Sequence, residues 1–210
     1  FYPHLIGNDI GCGMSLFSTG VKQKKFRMDK WESRLNQVRE LSDIPCGNPY
    51  DEVCPVRDLG TIGTGNHFAE FQCLEHVYRE EEAERLGLLE GRIMLLVHSG
   101  PRGYGQEILN RFYSPEGLPE DGEEGSRYLA EHDSAILWAG RNRMVTAKKL
   151  LAYLGVESEV NPLLESCHNY LERTEEGWLH RKGSVSTKRG AVVIPGSRGS
   201  LSYVCVPAAD

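Results

Sequence analysis

The sequence lacks any long hydrophobic run. A membrane-spanning helix needs roughly 18–20 consecutive apolar residues, whereas the longest runs here, residues 93–97 and 191–194, are short and typical of buried strands. We therefore expect no association with a membrane. A basic segment followed by an apolar stretch, as in a signal peptide, is also missing, which favours a cytoplasmic location with reduced cysteines.

Several common cofactor motifs are missing as well. None of the six cysteines forms a C-x-x-C pair, which argues against a zinc knuckle or a thioredoxin-type site. There is no G-x-x-x-x-G-K-[ST] sequence and no convincing G-x-G-x-x-G after a strand. The chain is therefore not expected to be a P-loop NTPase or a dinucleotide-binding domain.

What is present indicates a folded domain. The 210 residues are 40% hydrophobic, which is enough for a core and argues against intrinsic disorder. The formal net charge of -6 argues against a broad, non-specific nucleic-acid coat but leaves room for a local basic groove.

The order of the elements predicts the fold class. Apolar spacing predicts a surface helix over residues 29–42, with Asp29 as N-cap, and a long helix over residues 126–154, with Ser126 as cap. Strands are predicted over residues 68–77, 92–98 and 191–194, with two more around residues 175–177. This irregular mixture favours an α+β fold with layered mixed or antiparallel sheets and flanking helices.

Potential metal ligands recur in or beside turns at the ends of apolar strands. A further pair, His168 and Asn169, lies in a predicted strand. The five candidates supply one carboxylate, one thiolate and three imidazoles: Asp9, Cys12, His67, His98 and His168. This mixed set suits a borderline divalent ion such as Mn, Fe, Co or Zn, and the soft thiolate argues against Mg or Ca. Two adjacent ions sharing a ligand would use five donors better than one structural zinc, and such pairs favour phosphoryl chemistry.

Plainer interpretations stay open. His4, His76 and His132 are more simply hydrogen-bonded structural histidines, whereas for His67, His98 and His168 the structural and ligand interpretations have about equal weight. Glycine-rich residues 63–65 and 196–199 are either phosphate-binding nests or ordinary turns.

Six motifs occur in the order seen in RtcB-type RNA ligases, and together they span essentially the whole chain. They are DIGCGM at residues 9–14, LGTIGTGNHF at 59–68, VHSGPRG at 97–103, HNY at 168–170, HRKG at 180–183 and PGSRGS at 195–200. The chain thus resembles this family, and the resemblance implies an RtcB-like fold.

The resemblance also implies a function. The family joins RNA 2′,3′-cyclic phosphate or 3′-phosphate ends to 5′-hydroxyl ends, using GTP and Mn²⁺ through a histidine-GMP intermediate. By motif, two Mn²⁺ ions would be bound by Asp9, Cys12, His67, His98 and His168, with Cys12 bridging. The guanine nucleotide would be bound by Asn66, His67, Phe68, Ala69, Glu70, His168, Asn169, Pro195, Gly196, Ser197, Arg198 and Ser202.

The resemblance further implies that residues 1–210 are a partial ligase domain. The family's guanylylated histidine lies in a segment downstream of the PGS motif, so it is expected beyond Asp210, and the start of the domain is expected before Phe1. We therefore expect these 210 residues alone to be inactive and to contain no catalytic histidine.

The stretch between Met14 and Leu59 is short for the main family. In this the chain resembles the branch of the family that is associated with a release factor H-like protein. Pro101 and Arg198 also depart from two of the motifs. For that branch, RNA repair is a better expectation than tRNA splicing. The rival hypotheses are a metal-dependent phosphoesterase acting on cyclic phosphate ends and a non-catalytic module that binds RNA ends.

Overall fold

The computed structural model describes residues 1–44, 59–157, 159–197 and 199–208. The helices are α1 Pro3–Ile6, α2 Met28–Leu35, α3 Glu80–Arg85, α4 Gly103–Phe112 and α5 Glu123–Tyr153. The strands are β1 Gly13–Lys22, β2 Phe68–Cys73, β3 Arg92–Ser99, β4 Pro162–Cys167, β5 Asn169–Thr174, β6 Gly177–Lys182, β7 Val192–Ile194 and β8 Tyr203–Cys205. The mixture of helices with antiparallel strands confirms the α+β class.

The chain forms two compact units. The first comprises Phe1–Gly13, Ser99–Arg141 and Ser166–Asp210, and the second comprises Met14–His98 and Asn142–Glu165. Among the described helices, none is long and apolar enough to cross a membrane.

The first unit contains two antiparallel hairpins. Strands β5 and β6 pair from Asn169 opposite Lys182 to Thr174 opposite Gly177, and β7 pairs with β8. The predicted pair of strands around residues 175–177 is therefore confirmed. The strand predicted over residues 191–194 starts one residue later, at Val192, and is followed by a further strand, β8. The hydrophobic core of the first unit contains Ile6, Ile10, Ile108, Phe112, Leu118, Tyr128, Ala135 and Leu171.

The second unit is built around a four-stranded sheet in the order β2-β3-β1-β4. Strand β3 lies between two neighbours, which explains why its apolar residues 93–97 do not alternate with polar ones and are all buried. Strand β2 was predicted to reach residue 77 but ends at Cys73, where its pairing with β3 stops at Ile93. The core of this unit includes Phe17, Leu95, Val97, Ala147, Leu150, Leu151 and Val160.

Three details of the predicted helices are wrong: the end of α2, its N-cap and the start of α5. Helix α2 ends at Leu35 instead of residue 42, because Glu40 and Asp43 cap each other's backbone N–H groups in a separate 3-10 turn at Leu41–Asp43. Asp29 does not cap the helix and instead pairs with Arg27. Helix α5 begins at Glu123, before Ser126, with two carboxylates in its first turn where the helix dipole favours negative charge.

Candidate functional site

The first unit holds Asp9 and Cys12 in one tight turn. The backbone N–H of Cys12 donates to the carbonyl of Asp9 at 3.1 Å, and the Cys12 side chain is buried. This turn lies directly before β1, at an end of that buried strand. The turn fixes the backbone of both predicted ligands.

The HNY motif lies against that turn. His168 occupies the single position between β4 and β5, not a strand as predicted, and its N–H donates to the carbonyl of Cys12 at 2.8 Å. The Asn169 side chain donates to the carbonyl of Asp9 at 3.2 Å and accepts from the N–H of Gly183 at 2.8 Å. The first unit therefore brings Asp9, Cys12, His168 and Asn169 together.

Two glycines make this packing possible. A Cβ atom on Gly13 would lie 2.3 Å from the carbonyl oxygen of Ser166. A Cβ atom on Gly100 would lie 1.8 Å from Oδ1 of Asp9 and 3.3 Å from Cβ of Cys12. The glycines of the DIGCGM and VHSGPRG motifs thus leave the room that Asp9 and Cys12 occupy.

The second unit brings His67 and His98 together. Their ring centroids are 5.1 Å apart with the ring planes at 78°, and ligand nitrogens of the two rings lie within 4.8 Å of each other. His98 is buried near the end of β3, directly opposite Phe68 of β2. The antiparallel register therefore sets the spacing of the two histidines, which lie 31 positions apart in the sequence.

Asn66 fixes the orientation of His98. Its backbone carbonyl lies 3.0 Å from Nδ1 of His98, and because a carbonyl only accepts, Nδ1 carries the proton. The lone pair of the neutral ring is then on Nε2. Such a second-sphere carbonyl is the usual means of presenting one imidazole nitrogen to a metal ion.

The other predicted nucleotide ligands lie in two segments. Phe68, Ala69 and Glu70 form the start of β2, and the Glu70 carboxylate accepts from Gln72 at 2.9 Å. Residues 195–197 and 199–202 are the described part of the turn between β7 and β8, where Gly196 N–H donates to Ser202 Oγ at 3.1 Å and Ser200 N–H donates to the Ser197 carbonyl at 2.9 Å. Pro195 begins this turn, and Arg198 lies outside the described residues.

One feature near the site was not predicted from the sequence. Arg102 is the non-glycine residue with a positive φ in the described part of the chain, at 60°, and its ψ is -137°. Glycine ordinarily occupies this region, and strain of this kind tends to persist at functional sites. The position between Pro101 and Gly103 is the one hint that the sequence offers.

His132 confirms the structural interpretation given to it. It is buried, its Nε2 accepts from the N–H of Leu171 at 2.9 Å, and its Nδ1 lies 2.9 Å from the Asp133 carboxylate. The ring thus links α5 to β5.

Of the four cysteines that the structure describes, Cys12 and Cys167 are buried, Cys73 is exposed, and all four are thiols.

Comparison with known proteins identifies the family. The family model described as "tRNA-splicing ligase RtcB" matches residues 52–210. The chain belongs to the RtcB family. An RNA-splicing ligase RtcB2 of Escherichia coli is 40% identical over the whole chain, which covers 58% of that protein. The tRNA-splicing ligase RtcB of Pyrococcus furiosus is 34% identical over 83% of the chain, which covers 23% of that protein.

The tRNA-splicing ligase RtcB of Thermococcus kodakarensis is 29% identical over 83% of the chain, which covers 47% of that protein. The chain thus spans between 23% and 58% of the length of these RtcB relatives. The RtcB resemblance expected from the six ordered motifs is confirmed.

Proposed function

We propose that the natural full-length protein is an RNA ligase that joins 2′,3′-cyclic phosphate or 3′-phosphate RNA ends to 5′-hydroxyl ends, with GTP and Mn²⁺. Membership of the RtcB family supports the reaction class. The observation that carries the proposal for this chain is its donor set, since Cys12, His67 and His98 offer one sulfur and two nitrogens suited to a transition metal.

We propose Asp9, Cys12, His67, His98 and His168 as the ligands of two Mn²⁺ ions, with Cys12 bridging. Three observations support the fit: the buried Cys12 thiol, the carbonyl that orients His98, and the room that Gly100 leaves for the Asp9 carboxylate. When bound, such ions offset the charge of phosphate oxygens. The chain's own contribution is to hold these donors on short turns and a strand end that packing keeps rigid.

We propose that the guanine nucleotide binds to the start of β2, the turn between β7 and β8, and the HNY motif. Candidate contacts come from Asn66, His67, Phe68, Ala69, Glu70, His168, Asn169, Pro195, Gly196, Ser197, Arg198 and Ser202. The carboxylate of Glu70 and the hydroxyl of Ser202 offer an acceptor and a donor, which a guanine base and its sugar and phosphates can both use. We further propose a histidine-GMP intermediate on a residue outside these 210.

The biological setting follows from the same proposal. RNA repair in the cytoplasm, beside a release factor H-like partner, is our preferred role. Splicing of tRNA is the role that the names of the archaeal relatives carry.

A ligation assay tests the proposal. The full-length natural protein is incubated with Mn²⁺, a labelled RNA ending in a 2′,3′-cyclic phosphate, and an RNA beginning with a 5′-hydroxyl. We expect joined RNA only when GTP is added, and protein-bound GMP when labelled GTP is supplied without RNA. A matched RNA ending in a 3′-hydroxyl should not be joined.

Other outcomes would point elsewhere. Opening of the cyclic phosphate without GTP and without joining would identify a phosphoesterase. Binding of RNA ends with no turnover in any condition would identify a binding module. Either result would overturn the ligase proposal.

A further inference from the structure

A basic segment stands out in an otherwise acidic chain. Residues 21–30 carry five cations and one carboxylate, whereas the other 200 residues carry 19 cations and 29 carboxylates. The cations are Lys22, Lys24, Lys25, Arg27 and Lys30, and all five are exposed. We call residues 21–30 the basic segment. It lies in the second unit and contains none of the residues proposed above as ligands.

The lysines of this segment are not used within the described structure. Arg27 pairs with Asp29 at 3.1 Å, but both side chains are 70% exposed, so the pair contributes little to stability. Among the residues that the structure describes, Lys22, Lys24, Lys25 and Lys30 have no carboxylate partner. Four clustered charges of one sign are therefore available to an external anion.

The backbone that carries these lysines is held in place. The N–H of Gln23 donates to the carbonyl of Gly91 at 2.8 Å, and the N–H of Phe26 donates to the carbonyl of Gln23 at 3.1 Å, which closes a 3-10 turn. Arg92 adds a hydrogen bond to the carbonyl of Gly20 at 2.9 Å. The turn is thus anchored to β3, so that binding costs little backbone entropy.

The apolar side chains of the segment favour RNA over a lipid surface as the partner. Phe26 packs against Trp31 at 4.9 Å between ring centroids, and Trp31 packs against Phe71 at 4.6 Å, so both aromatic rings are committed to the protein. A helix that binds a membrane surface presents large apolar side chains outward. Here Met28 is the large apolar side chain left exposed in the segment.

We propose that the basic segment binds the phosphate backbone of the RNA substrate. This inference rests on the proposed function for the identity of the RNA, but the binding itself does not depend on ligation. Its physical basis is charge complementarity, since each phosphate neutralised by a lysine releases a condensed counterion. The net charge of -6 leaves room for a local basic groove, and we assign that role to the basic segment.

The test uses the full-length natural protein with Lys22→Gln, Lys24→Gln and Lys25→Gln combined. The matched control combines Arg79→Gln, Arg127→Gln and Lys188→Gln, which removes the same charge from exposed positions elsewhere. Binding is measured with a single-stranded RNA of about 30 nucleotides that has a 5′-phosphate and a 3′-hydroxyl, so that it is not a ligation substrate.

We expect the basic-segment variant to bind this RNA about tenfold more weakly at low salt, with a log–log salt slope reduced by about 2, since each phosphate contact on a single strand contributes about 0.7. The control variant and the same three positions changed to arginine should keep the wild-type affinity and slope. Unchanged thermal unfolding of all variants would show that the changes act on binding.

Two results would overturn the proposal. One is an unchanged RNA affinity and salt slope in the basic-segment variant. The other is retained RNA binding together with lost binding to vesicles of phosphatidylserine and phosphatidylcholine, which would assign the segment to a membrane. Because the RNA has unreactive ends, a protein without ligase activity can still confirm this proposal, so the two failures are distinguishable.

Discussion

Arg102 has a backbone conformation that residues other than glycine rarely adopt. It is the N-cap residue of α4, with φ at 60° and ψ at -137°, and it makes no side-chain capping hydrogen bond. It lies two residues after Gly100, the residue against which Asp9 and Cys12 pack. The fold therefore accepts local strain where the proposed ligands are assembled.

Replacing Arg102 with glycine should relieve that strain. Such conformations cost about 1–3 kcal/mol, whereas the added chain entropy of glycine costs about 0.5–1 kcal/mol. We expect Arg102→Gly to raise the free energy of unfolding by about 1 kcal/mol, measured by urea denaturation.

Arg79→Gly is the matched control for this substitution. Arg79 is also an N-cap residue without a side-chain capping bond, but its φ is -137° and its ψ is 96°, an ordinary extended conformation. Its replacement adds only the entropy cost of glycine and should lower the free energy of unfolding by about 0.5–1 kcal/mol. Equal effects of the two substitutions would show that Arg102 stores no strain.

At the scale of elements, the β5–β6 hairpin takes part in two ion pairs that differ in burial, one within the hairpin and one with Glu120, which precedes α5. Arg181 donates to Glu172, with 18% and 16% of the two side chains exposed. Arg173 pairs with Glu120 at 2.7 Å, with 54% and 43% exposed. Burial alone would raise the pKa of Glu172, but hydrogen bonds from Arg181 and Ser186 outweigh it and hold the pKa below its usual value of 4.5.

The direction of this shift predicts a pH dependence. Because folding lowers the pKa of Glu172, the charged carboxylate stabilises the fold above the unfolded-state pKa, and this stabilisation is lost as the pH falls through the lower folded-state pKa. In unfolding experiments from pH 7 to pH 3, the difference between wild type and Glu172→Gln should shrink below about pH 4.5.

The exposed pair provides the control for that experiment. Glu120→Gln should have a small effect at every pH, because solvent screens an ion pair that is about half exposed. A constant difference between wild type and Glu172→Gln across the whole pH range would contradict the prediction.

Elements whose pattern is visible in the sequence were predicted well. The apolar run of β3 and the long helix α5 were expected, and α5 ends before Gly155 as its pattern indicated. Strands β1, β4 and β8 were not predicted. The first half of β1 is buried, so its residues show no alternation that would distinguish a strand.

At the scale of the whole molecule, the proposed ligands come from distant parts of the chain. Asp9, Cys12 and His168 belong to the first unit, and His67 and His98 belong to the second. The types of the five residues indicated a transition metal. Which of them come together within each unit depends on backbone hydrogen bonds and strand register, and the sequence spacing of the residues does not reveal these. Cys12 meets His168 through a backbone hydrogen bond across 156 positions, and His67 meets His98 through the register of β2 on β3.

Metal stoichiometry tests the central claim most directly. Mn²⁺ bound to the full-length natural protein is counted by equilibrium dialysis for the wild type, Cys12→Ala and Cys73→Ala, the last being a matched change at an exposed cysteine. We predict two ions for the wild type and Cys73→Ala, and loss of Mn²⁺ binding in Cys12→Ala, because the thiolate that we propose as a shared ligand would serve both ions. Two ions still bound by Cys12→Ala would contradict the proposed metal centre.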